Sequence, residues 1–389
     1  MAAAADEAPA ALERTRPEAQ VAAPVDPPVD APPNAPPSAP VDPPVDAKST
    51  ALNEALIETL RGPPGAAQRR ALAKAITLLE STRTDHRARA DALLDALLPD
   101  SRAALRLGIS GAPGVGKSSF IETLGLFLIA RGHRVAVLAV DPSSSLSGGS
   151  ILGDKTRMER LSMDERAFIR PSPASGTLGG VAEKTREAMG VCAAAGHDIV
   201  IVETVGVGQS ETAVAGMTDC FVLLQLPNAG DDLQAIKKGV MELADIVLVN
   251  KADLDEAAAT RARAQITSAL RLLGMHGRPG RKGSKDSEDR DPGAVPVLQV
   301  SATQGSGIDA FWQAVERFRA AQESTGRLQA RRHAQDSAWM WQRIESGLRE
   351  RFRRHPAVCA ALPDLTRQVR AGELAASVAA RRLLDLLDH

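Results

Sequence analysis

Residues 105–118 read LRLGISGAPGVGKS, and this stretch decides the fold class of the chain. Its first six residues form a short apolar run typical of a buried strand, and residues 111–118 match the pattern GxxxxGKS. A helical pattern from Ser119 to Arg131 follows directly. Between a strand and a helix, such glycines let backbone amides turn inward, and the helix N-terminus adds partial positive charge. The stretch therefore predicts a phosphate-binding loop. A chance glycine-rich turn is disfavoured because both flanking elements are present.

The residues of the phosphate loop are the first candidates for binding the phosphates and the metal ion. We expect Lys117 to reach the β- and γ-phosphates of a nucleotide and Ser118 to offer its hydroxyl to Mg²⁺. The candidate phosphate-binding residues are Gly111, Ala112, Pro113, Gly114, Val115, Gly116, Lys117, Ser118 and Ser119.

Five further apolar runs predict the rest of a mostly parallel central sheet. They lack strict alternation, which suits strands that helices cover on both faces. With LRLGIS (105–110), the runs are VAVLAV (135–140), DIVIVE (198–203), CFVLLQL (220–226), DIVLVN (245–250) and VPVLQVS (295–301). Helical patterns separate most of them, so we expect an α/β fold.

The sequence NKAD at 250–253 follows one of these strands and indicates the base of the nucleotide. The carboxylate of Asp253 would accept hydrogen bonds from N1–H and the exocyclic amine of guanine. Adenine offers neither donor there, and an unpaired buried polar group costs about 1–3 kcal/mol. Backbone amides after the run VPVLQV are available to guanine O6. The candidate guanine-binding residues are Asn250, Lys251, Asp253, Ser301, Ala302 and Thr303. The sequence thus predicts GTP rather than ATP.

A third motif, ETVG at 203–206, follows the run DIVIVE. Glu203 is suited to metal coordination, directly or through water, and the amide of Gly206 to sensing the γ-phosphate. Ras-type GTPases carry Asp at the first place and a catalytic Gln after the glycine, where this chain has Val207. Valine cannot orient a water. Either Gln209, the nearest candidate, does so, or hydrolysis requires a rearrangement.

Composition narrows the function classes. Lys+Arg total 47 and Asp+Glu 48, so a net charge of −1 argues against binding of nucleic acid through bulk electrostatics. With seven Phe, three Trp and no Tyr, an aromatic platform for single strands is not expected. Three scattered cysteines, without a CxxC pair, favour a reducing compartment. No apolar stretch reaches membrane-spanning length. We expect a cytoplasmic protein with neither nucleic acid nor membrane as partner.

The chain also divides by composition. Of its 25 prolines, 12 fall in the first 46 residues, where APVDPPVDA occurs twice, and we expect a disordered tail there. A docking motif for a proline-reading partner is the alternative. Apolar residues at helical spacing follow, and the polar stretch 277–293 is expected to be a loop. The predicted regions are a tail (1–48), a helical extension (49–102), a nucleotide-binding domain (103–322) and a helical C-terminal arm (323–389).

The chain resembles a known family. Glu203 in the third motif is typical of the glutamate branch of SIMIBI-class P-loop GTPases. Four stretches narrow the resemblance to the methylmalonyl-CoA mutase-associated GTPases, the MeaB/MMAA or ArgK-type group, over about residues 50–389. They are AVDPSSSLSGGSILGDKTRM (139–158), RPSPASGTLGGVAEKTRE (170–187), ETVGVGQSE (203–211) and GDDLQAIKKGVMELADIVLVNKAD (230–253). The resemblance implies GTP and Mg²⁺ binding and slow GTP hydrolysis, stimulated by an adenosylcobalamin-dependent acyl-CoA mutase. It also implies gating of cofactor loading, protection of the mutase and a homodimer through the C-terminal arm.

The resemblance further implies residue roles. The implied metal residues are Ser118, Asp141, Asp154, Glu203 and Thr204, and the implied catalytic residues are Lys117, Glu203, Gln209, Gln234 and Lys237. Gln234 and Lys237 would report the nucleotide state to the partner from a mobile segment. Departures at Asn228, Asp232 and Ala235 leave the motion of that segment open. Solvated surface pairs are the alternatives for Asp154 with Lys155 and for Lys237 with Lys238.

Two other functions stay open at this point. One is a nickel or zinc metallochaperone GTPase of the same class, although the seven histidines form no tract. The other is a transport-associated ATPase or kinase, which NKAD disfavours. The arm holds eight Arg against three acids within 327–355 and an apolar stripe at Trp341, Ile344, Leu348 and Phe352. We expect this stripe to pack across a dimer rather than on a membrane.

Overall fold

Parallel strands build one sheet in the computed structural model, which describes residues 47–81, 83–101, 104–140, 158–171, 178–204, 210–227, 238–275 and 294–387. Within those ranges the sheet has seven strands. They are β1 (Leu105–Gly111), β2 (Val135–Val140), β3 (Ala167–Arg170), β4 (Ile199–Thr204), β5 (Cys220–Gln225), β6 (Ile246–Val249) and β7 (Val297–Gln299). The predicted parallel α/β fold is confirmed, and each predicted strand is present. The short strand β3 was not predicted.

The order of the strands places β1 at the centre of the sheet. The order is β3-β2-β4-β1-β5-β6-β7, and each neighbouring pair is parallel. From β1 the chain first builds one half of the sheet, through β4, and then crosses to β5 on the other side. In such sheets, ligands bind outside the carboxyl ends of the strands, where the order reverses. The loops after β1, β4 and β6 are therefore at the edge where a ligand is expected.

Helices precede, alternate with and follow the strands. The three N-terminal helices are α1 (Ala47–Arg61), α2 (Ala66–Glu80) and α3 (Thr84–Leu97). Within the sheet region are α4 (Lys117–Ala130), α5 (Glu159–Met163), α6 (Leu178–Ala194), α7 (Ser210–Ala215), α8 (Lys238–Leu243), α9 (Glu256–Met275) and α10 (Ile308–Ser324). The C-terminal helices are α11 (Arg327–Arg354), α12 (Pro356–Arg370) and α13 (Ala376–Asp385). Helical N- and C-terminal regions were predicted and are confirmed.

Apolar side chains fill both faces of the sheet. Along β4, Val200 and Val202 belong to the core on the side of α2, α3 and α6, whereas Ile199 and Ile201 belong to the core around α4 and α10. Successive residues of a strand point to opposite faces, so a strand covered on both sides is apolar throughout. This is why the strand runs in the sequence do not alternate.

The long helix α11 starts on the amino-terminal edge of the sheet. Arg331 pairs with Asp245 at 3.0 Å, and Arg332 pairs with Asp219 at 2.6 Å. The side chain of Gln335 donates to the carbonyl of Thr218 at 2.9 Å. These contacts hold the first turns of α11 against the amino-terminal ends of β5 and β6.

The described residues belong to one compact unit. The four regions predicted from the sequence stay a prediction. In the part of the chain that the structure describes, no helix has the length and apolar character needed to cross a bilayer.

Candidate nucleotide-binding site

The phosphate loop connects the end of β1 to the start of α4, as the sequence predicted. Gly114 and Gly116 have φ angles of 79° and 92°, a left-handed backbone conformation that residues other than glycine rarely adopt. A Cβ atom at Gly116 would lie 2.7 Å from Nδ2 of Asn250. The loop geometry therefore depends on glycine both for its backbone and for the close approach of a neighbouring motif.

Lys117, the first residue of α4, is buried against the same loop. Its Nζ donates to the carbonyl oxygens of Gly111 at 2.8 Å and Ala112 at 3.2 Å. The ammonium is therefore held at the phosphate loop, where the sequence placed a phosphate-binding cation. The distances are those of ordinary hydrogen bonds.

Ser118, at the start of α4, comes together with Glu203, near the end of β4. β1 pairs with β4, so that Ile109 lies beside Glu203 in the register. The hydroxyl of Ser118 donates to Oε1 of Glu203 at 3.2 Å, although 85 residues separate them. The hydroxyl of Thr204, completely buried, donates to Ser110 at 3.0 Å. A hydroxyl and a carboxylate are the hard oxygen donors that Mg²⁺ prefers, so these residues fit that ion.

Asn250 joins the guanine motif to the phosphate loop. Its Nδ2 donates to the carbonyl of Val115 at 2.8 Å, and its Oδ1 accepts from the amide of Ala302 at 3.2 Å. Lys251, which has a left-handed φ of 58°, donates from Nζ to the carbonyl of Gly114 at 2.9 Å. Three segments distant in sequence are thus linked into one hydrogen-bonded site.

Asp253 has a carboxylate oxygen that no group of the described protein satisfies. Oδ1 is buried and accepts no hydrogen bond. Buried polar atoms are rarely left without a partner, and an exception indicates a strained or a ligand-binding group. The N1–H and the exocyclic amine of guanine are donors that could pair with this oxygen. The unpaired oxygen of Asp253 is therefore the observation that most favours a guanine nucleotide.

The loop after β7 completes the site, but its amides are already engaged. The amide of Ser301 donates to the carbonyl of Ser306 at 3.0 Å, and that of Ala302 to Asn250. The hydroxyls of Ser301 and Thr303 lie 3.2 Å apart. Contact of these amides with guanine O6 stays a prediction.

The structure adds one residue that the sequence analysis did not identify. The hydroxyl of Thr123, on α4, donates to the carbonyl of Ala302 at 2.7 Å. It thereby ties the helix of the phosphate loop to the loop after β7. A threonine beside Glu122 within the largely apolar helix sequence FIETLGLFLIA is a weak local signal of this contact. Six predicted site residues lie outside the described residues: Asp141, Asp154, Gly206, Gln209, Gln234 and Lys237.

Comparison with known proteins agrees with this geometry. The sequence profile of the family described as "Methylmalonyl Co-A mutase-associated GTPase MeaB" matches residues 72–357. A putative GTPase of Caulobacter vibrioides is 52% identical over 328 residues, which are 84% of this chain and 97% of that protein. The mitochondrial methylmalonic aciduria type A homolog of Mus musculus is 45% identical, over 82% of this chain and 76% of that protein. The GTPase ArgK of Escherichia coli K12 is 49% identical, over 72% and 80%.

A solved structure is also similar. It is described as a LAO/AO transport system kinase, with a TM-score of 0.64 and 36% identity over 87% of this chain and 98% of that one. The site contains the phosphate loop, the acid near the end of β4 and the guanine motif in one place, and two of these relatives are named as GTPases. The protein is accordingly a GTPase, and the chain belongs to the MeaB family of methylmalonyl-CoA mutase-associated GTPases.

Proposed function

We propose that the protein is a GTP-hydrolysing chaperone that gates cofactor loading of an adenosylcobalamin-dependent acyl-CoA mutase and protects that mutase. Family membership supports a mutase as the partner. The assignment of GTP as the nucleotide rests on Oδ1 of Asp253, which is buried and has no hydrogen-bond partner among the described residues. Guanine offers the hydrogen-bond donors that this oxygen needs. Methylmalonyl-CoA mutase or a close relative is the proposed client.

The reaction is an in-line attack of water on the γ-phosphate of GTP. In this proposal Lys117 turns from the carbonyls of Gly111 and Ala112 to the β- and γ-phosphates, where its charge stabilises the transition state. The amides of the phosphate loop add further hydrogen bonds to the same oxygens.

Ser118 and Glu203 are the proposed centre of the magnesium site. They already lie within hydrogen-bonding distance of each other, and both offer oxygen. We keep Asp141, Asp154 and Thr204 as proposed members of this site. When bound, Mg²⁺ would neutralise charge on the β- and γ-phosphates. Opening the Ser118–Glu203 hydrogen bond would free both groups to act as ligands.

We propose that one of three side chains positions the attacking water: Gln209, Gln234 or Lys237. The backbone amide of Gly206 would contact the γ-phosphate. The slow reaction without a partner would follow from Val207, which cannot orient a water. A mutase that repositions one of the three side chains would then accelerate hydrolysis.

The homodimer is a further part of the proposal, and the exposed stripe of α11 supports it. Trp341 is 60% exposed, Leu348 59% and Ile344 41%, and all three lie at helical spacing. Contiguous apolar surface of this kind is typical of protein interfaces. Cytoplasmic location stays a proposal, supported by three cysteines that are free thiols.

Turnover of GTP with and without a purified mutase tests the central proposal. We expect slow turnover alone, acceleration by the mutase, and transfer of adenosylcobalamin to the mutase that depends on the nucleotide state. The matched control is Ser118→Ala, which removes a proposed magnesium ligand and should stay slow with the mutase present. Failure of methylmalonyl-, isobutyryl-, ethylmalonyl- and 2-hydroxyisobutyryl-CoA mutases to bind or to change turnover would refute the partner assignment.

A further inference from the structure

A cavity lies at the amino-terminal end of the central strand, opposite the nucleotide site. It has a volume of about 380 Å³ and is bounded by α3, the start of β1, α6 and the first half of α11. Arg106, the second residue of β1, faces it, whereas the phosphate loop begins at the other end of that strand. We call it the Arg106 cavity. It is formed where the N-terminal helices, the sheet and the C-terminal helices meet.

Within the described ranges, three guanidinium groups line the Arg106 cavity, and two of them have carboxylate partners. Arg332 makes two hydrogen bonds with Asp219, at 2.8 and 2.6 Å. Arg186 pairs with Asp336 at 2.8 Å. Among the described residues, the guanidinium of Arg106 has neither an ion pair nor a hydrogen bond. One of these three cations thus has nearby carboxylates but no ion pair of its own with a described residue.

The nearby acids are already engaged. Asp219 also accepts from the backbone amide of Arg106 at 2.9 Å, in addition to its two bonds with Arg332. Glu187, which lines the cavity, pairs with Lys184 at 3.2 Å. The remaining titratable group on the wall is His333, which is exposed. No acid facing the cavity is therefore left over for Arg106 in the described structure.

The surroundings make an unpaired cation costly at this place. Burial lowers the pKa of Arg106, and the positive charges of Arg332 and Arg186 lower it further, against the opposing effects of Asp219 and Asp336. Arginine does not lose its proton in proteins, so it stays charged despite these effects. An anion bound beside it would offset both the desolvation and the repulsion.

The other half of the cavity is apolar. Leu94 of α3 and Leu98, which directly follows that helix and is 52% exposed, contribute aliphatic surface, and the ring of Trp339 lines another side. The guanidinium carbons of Arg186 and Arg343 lie 5.5 Å and 5.9 Å from the centre of that ring. A simple inorganic anion would leave this apolar wall uncovered.

We propose that the Arg106 cavity is a binding site for a small organic carboxylate that carries a short apolar chain. The carboxylate pairs with Arg106, since a guanidinium fork matches a carboxylate bidentately. The chain lies against Leu94, Leu98 and Trp339. The volume of about 380 Å³ is at the lower end for ligand pockets, which limits the chain to a few carbons.

Binding at this place would fasten three parts of the protein together. The ligand would touch α3, β1, α6 and α11 at once, and a ligand that binds only the folded arrangement stabilises it. The site would therefore set how firmly α11, with its exposed stripe, is held on the GTPase domain. It is independent of GTP chemistry and does not require a mutase.

Quenching of tryptophan fluorescence by 6-bromohexanoate tests the proposal on the full chain. The protein is first saturated with GDP and Mg²⁺, verified by calorimetry, so that the acid does not enter the phosphate loop. Bromine quenches only on contact, so Trp339 should give a saturable component that hexanoate displaces at constant ionic strength. The exposed Trp341 would contribute only collisional quenching without saturation. Trp339→Phe should lose the saturable component.

Two variants and a control locate the site. Arg106→Leu should weaken the saturable component by at least about tenfold, the loss of one charge-assisted pair. Gly190→Leu fills the cavity without changing charge, and its Cβ would meet only Ser101, at 3.6 Å, so that this variant should fold. It should also abolish the component. Arg317→Leu, an exposed arginine of α10, should leave it intact.

Three results would overturn the proposal. One is an absence of saturable quenching in the wild-type protein. Another is undiminished quenching in Gly190→Leu. The third is displacement of 6-bromohexanoate by inorganic phosphate as readily as by hexanoate, because the apolar chain would then contribute nothing.

Discussion

The side-chain amide of Asn250 donates to the backbone carbonyl of Val115 at 2.8 Å. One residue lies in the guanine motif and the other in the phosphate loop, 135 positions apart. The two halves of the nucleotide site are therefore one hydrogen-bonded unit, and the occupancy of one half has a direct physical path to the other.

Replacing Asn250 by Ala should separate these halves. The change removes the bonds to Val115 and Ala302 and leaves a buried carbonyl and a buried amide unpaired, at a cost of about 1–3 kcal/mol each. We expect a lower free energy of unfolding in urea and weaker GDP binding by calorimetry. Thr123→Val, which removes only the contact of α4 with Ala302, is the matched control and should affect GDP binding much less. Unchanged stability and affinity in Asn250→Ala would contradict this role.

Replacing Asp253 by Asn should change the choice of base. The asparagine amide cannot accept from both N1–H and the exocyclic amine of guanine, so GTP affinity should fall by about 10- to 100-fold. Xanthine carries a carbonyl in place of that amine, and the new amide can donate to it. Affinity for XTP should rise accordingly in a competition assay.

The control for this change is Asp255→Asn. Asp255 accepts from the amide of Ala258 at 2.8 Å and caps α9, outside the proposed base pocket. It should alter stability slightly and base preference not at all. A GTP-over-XTP preference that survives Asp253→Asn would exclude the proposed recognition.

His197 should make the protein less stable in mild acid. Burial, then the nearby Arg134, lowers its pKa to about 4 from 6.5, and its Nδ1 lies 3.1 Å from the carbonyl of Cys192. In the unfolded chain His197 is protonated below pH 6.5, whereas in the folded chain it stays neutral until the pH falls to about 4. Stability is therefore lost as the pH falls through that window, by about 3 kcal/mol in total.

The variant His197→Asn checks this effect. Its amide can donate to the carbonyl of Cys192 but does not titrate. Urea unfolding at pH 7 and pH 5 should show a smaller loss for the variant than for the wild-type protein. Equal losses would show that carboxylates elsewhere, rather than His197, control acid sensitivity.

Charges on the exposed stripe of α11 should dissociate the proposed homodimer. Trp341→Glu and Leu348→Glu each place a carboxylate on a surface that would be desolvated in the interface. We expect monomers by light scattering and unchanged basal GTP turnover. Ser346→Glu, exposed but off the stripe, should stay dimeric. A wild-type protein that is monomeric at high concentration would rule out the dimer.

Removal of residues 1–46 should leave GTP turnover unaltered. The family match begins at residue 72, and the described site residues all follow it. Comparing initial rates for the truncated and full-length chains tests the separation of tail and GTPase. A large loss of turnover would show that the tail takes part in the reaction.

Much of the fold was predictable because its signals are local. Each predicted strand is present, with VAVLAV matched to the residue as β2. The missed strand β3 is only four residues, AFIR, pairs on one side with β2 and includes the charged Arg170. A run of three apolar residues has too little periodicity to separate a strand from a helix or a loop.

The sequence alone determined the phosphate loop, the guanine motif and the parallel sheet, because each is encoded by residues a few positions apart. Tertiary structure alone decided that Ser118 meets Glu203 and that Asn250 holds Val115, since those pairs form only when β1, β4 and β6 align in one sheet. It likewise decided that Arg106 faces a half-apolar cavity without an ion pair to any described residue. Spacing along the chain encodes backbone conformation, whereas the pairing of charges depends on how separate elements pack.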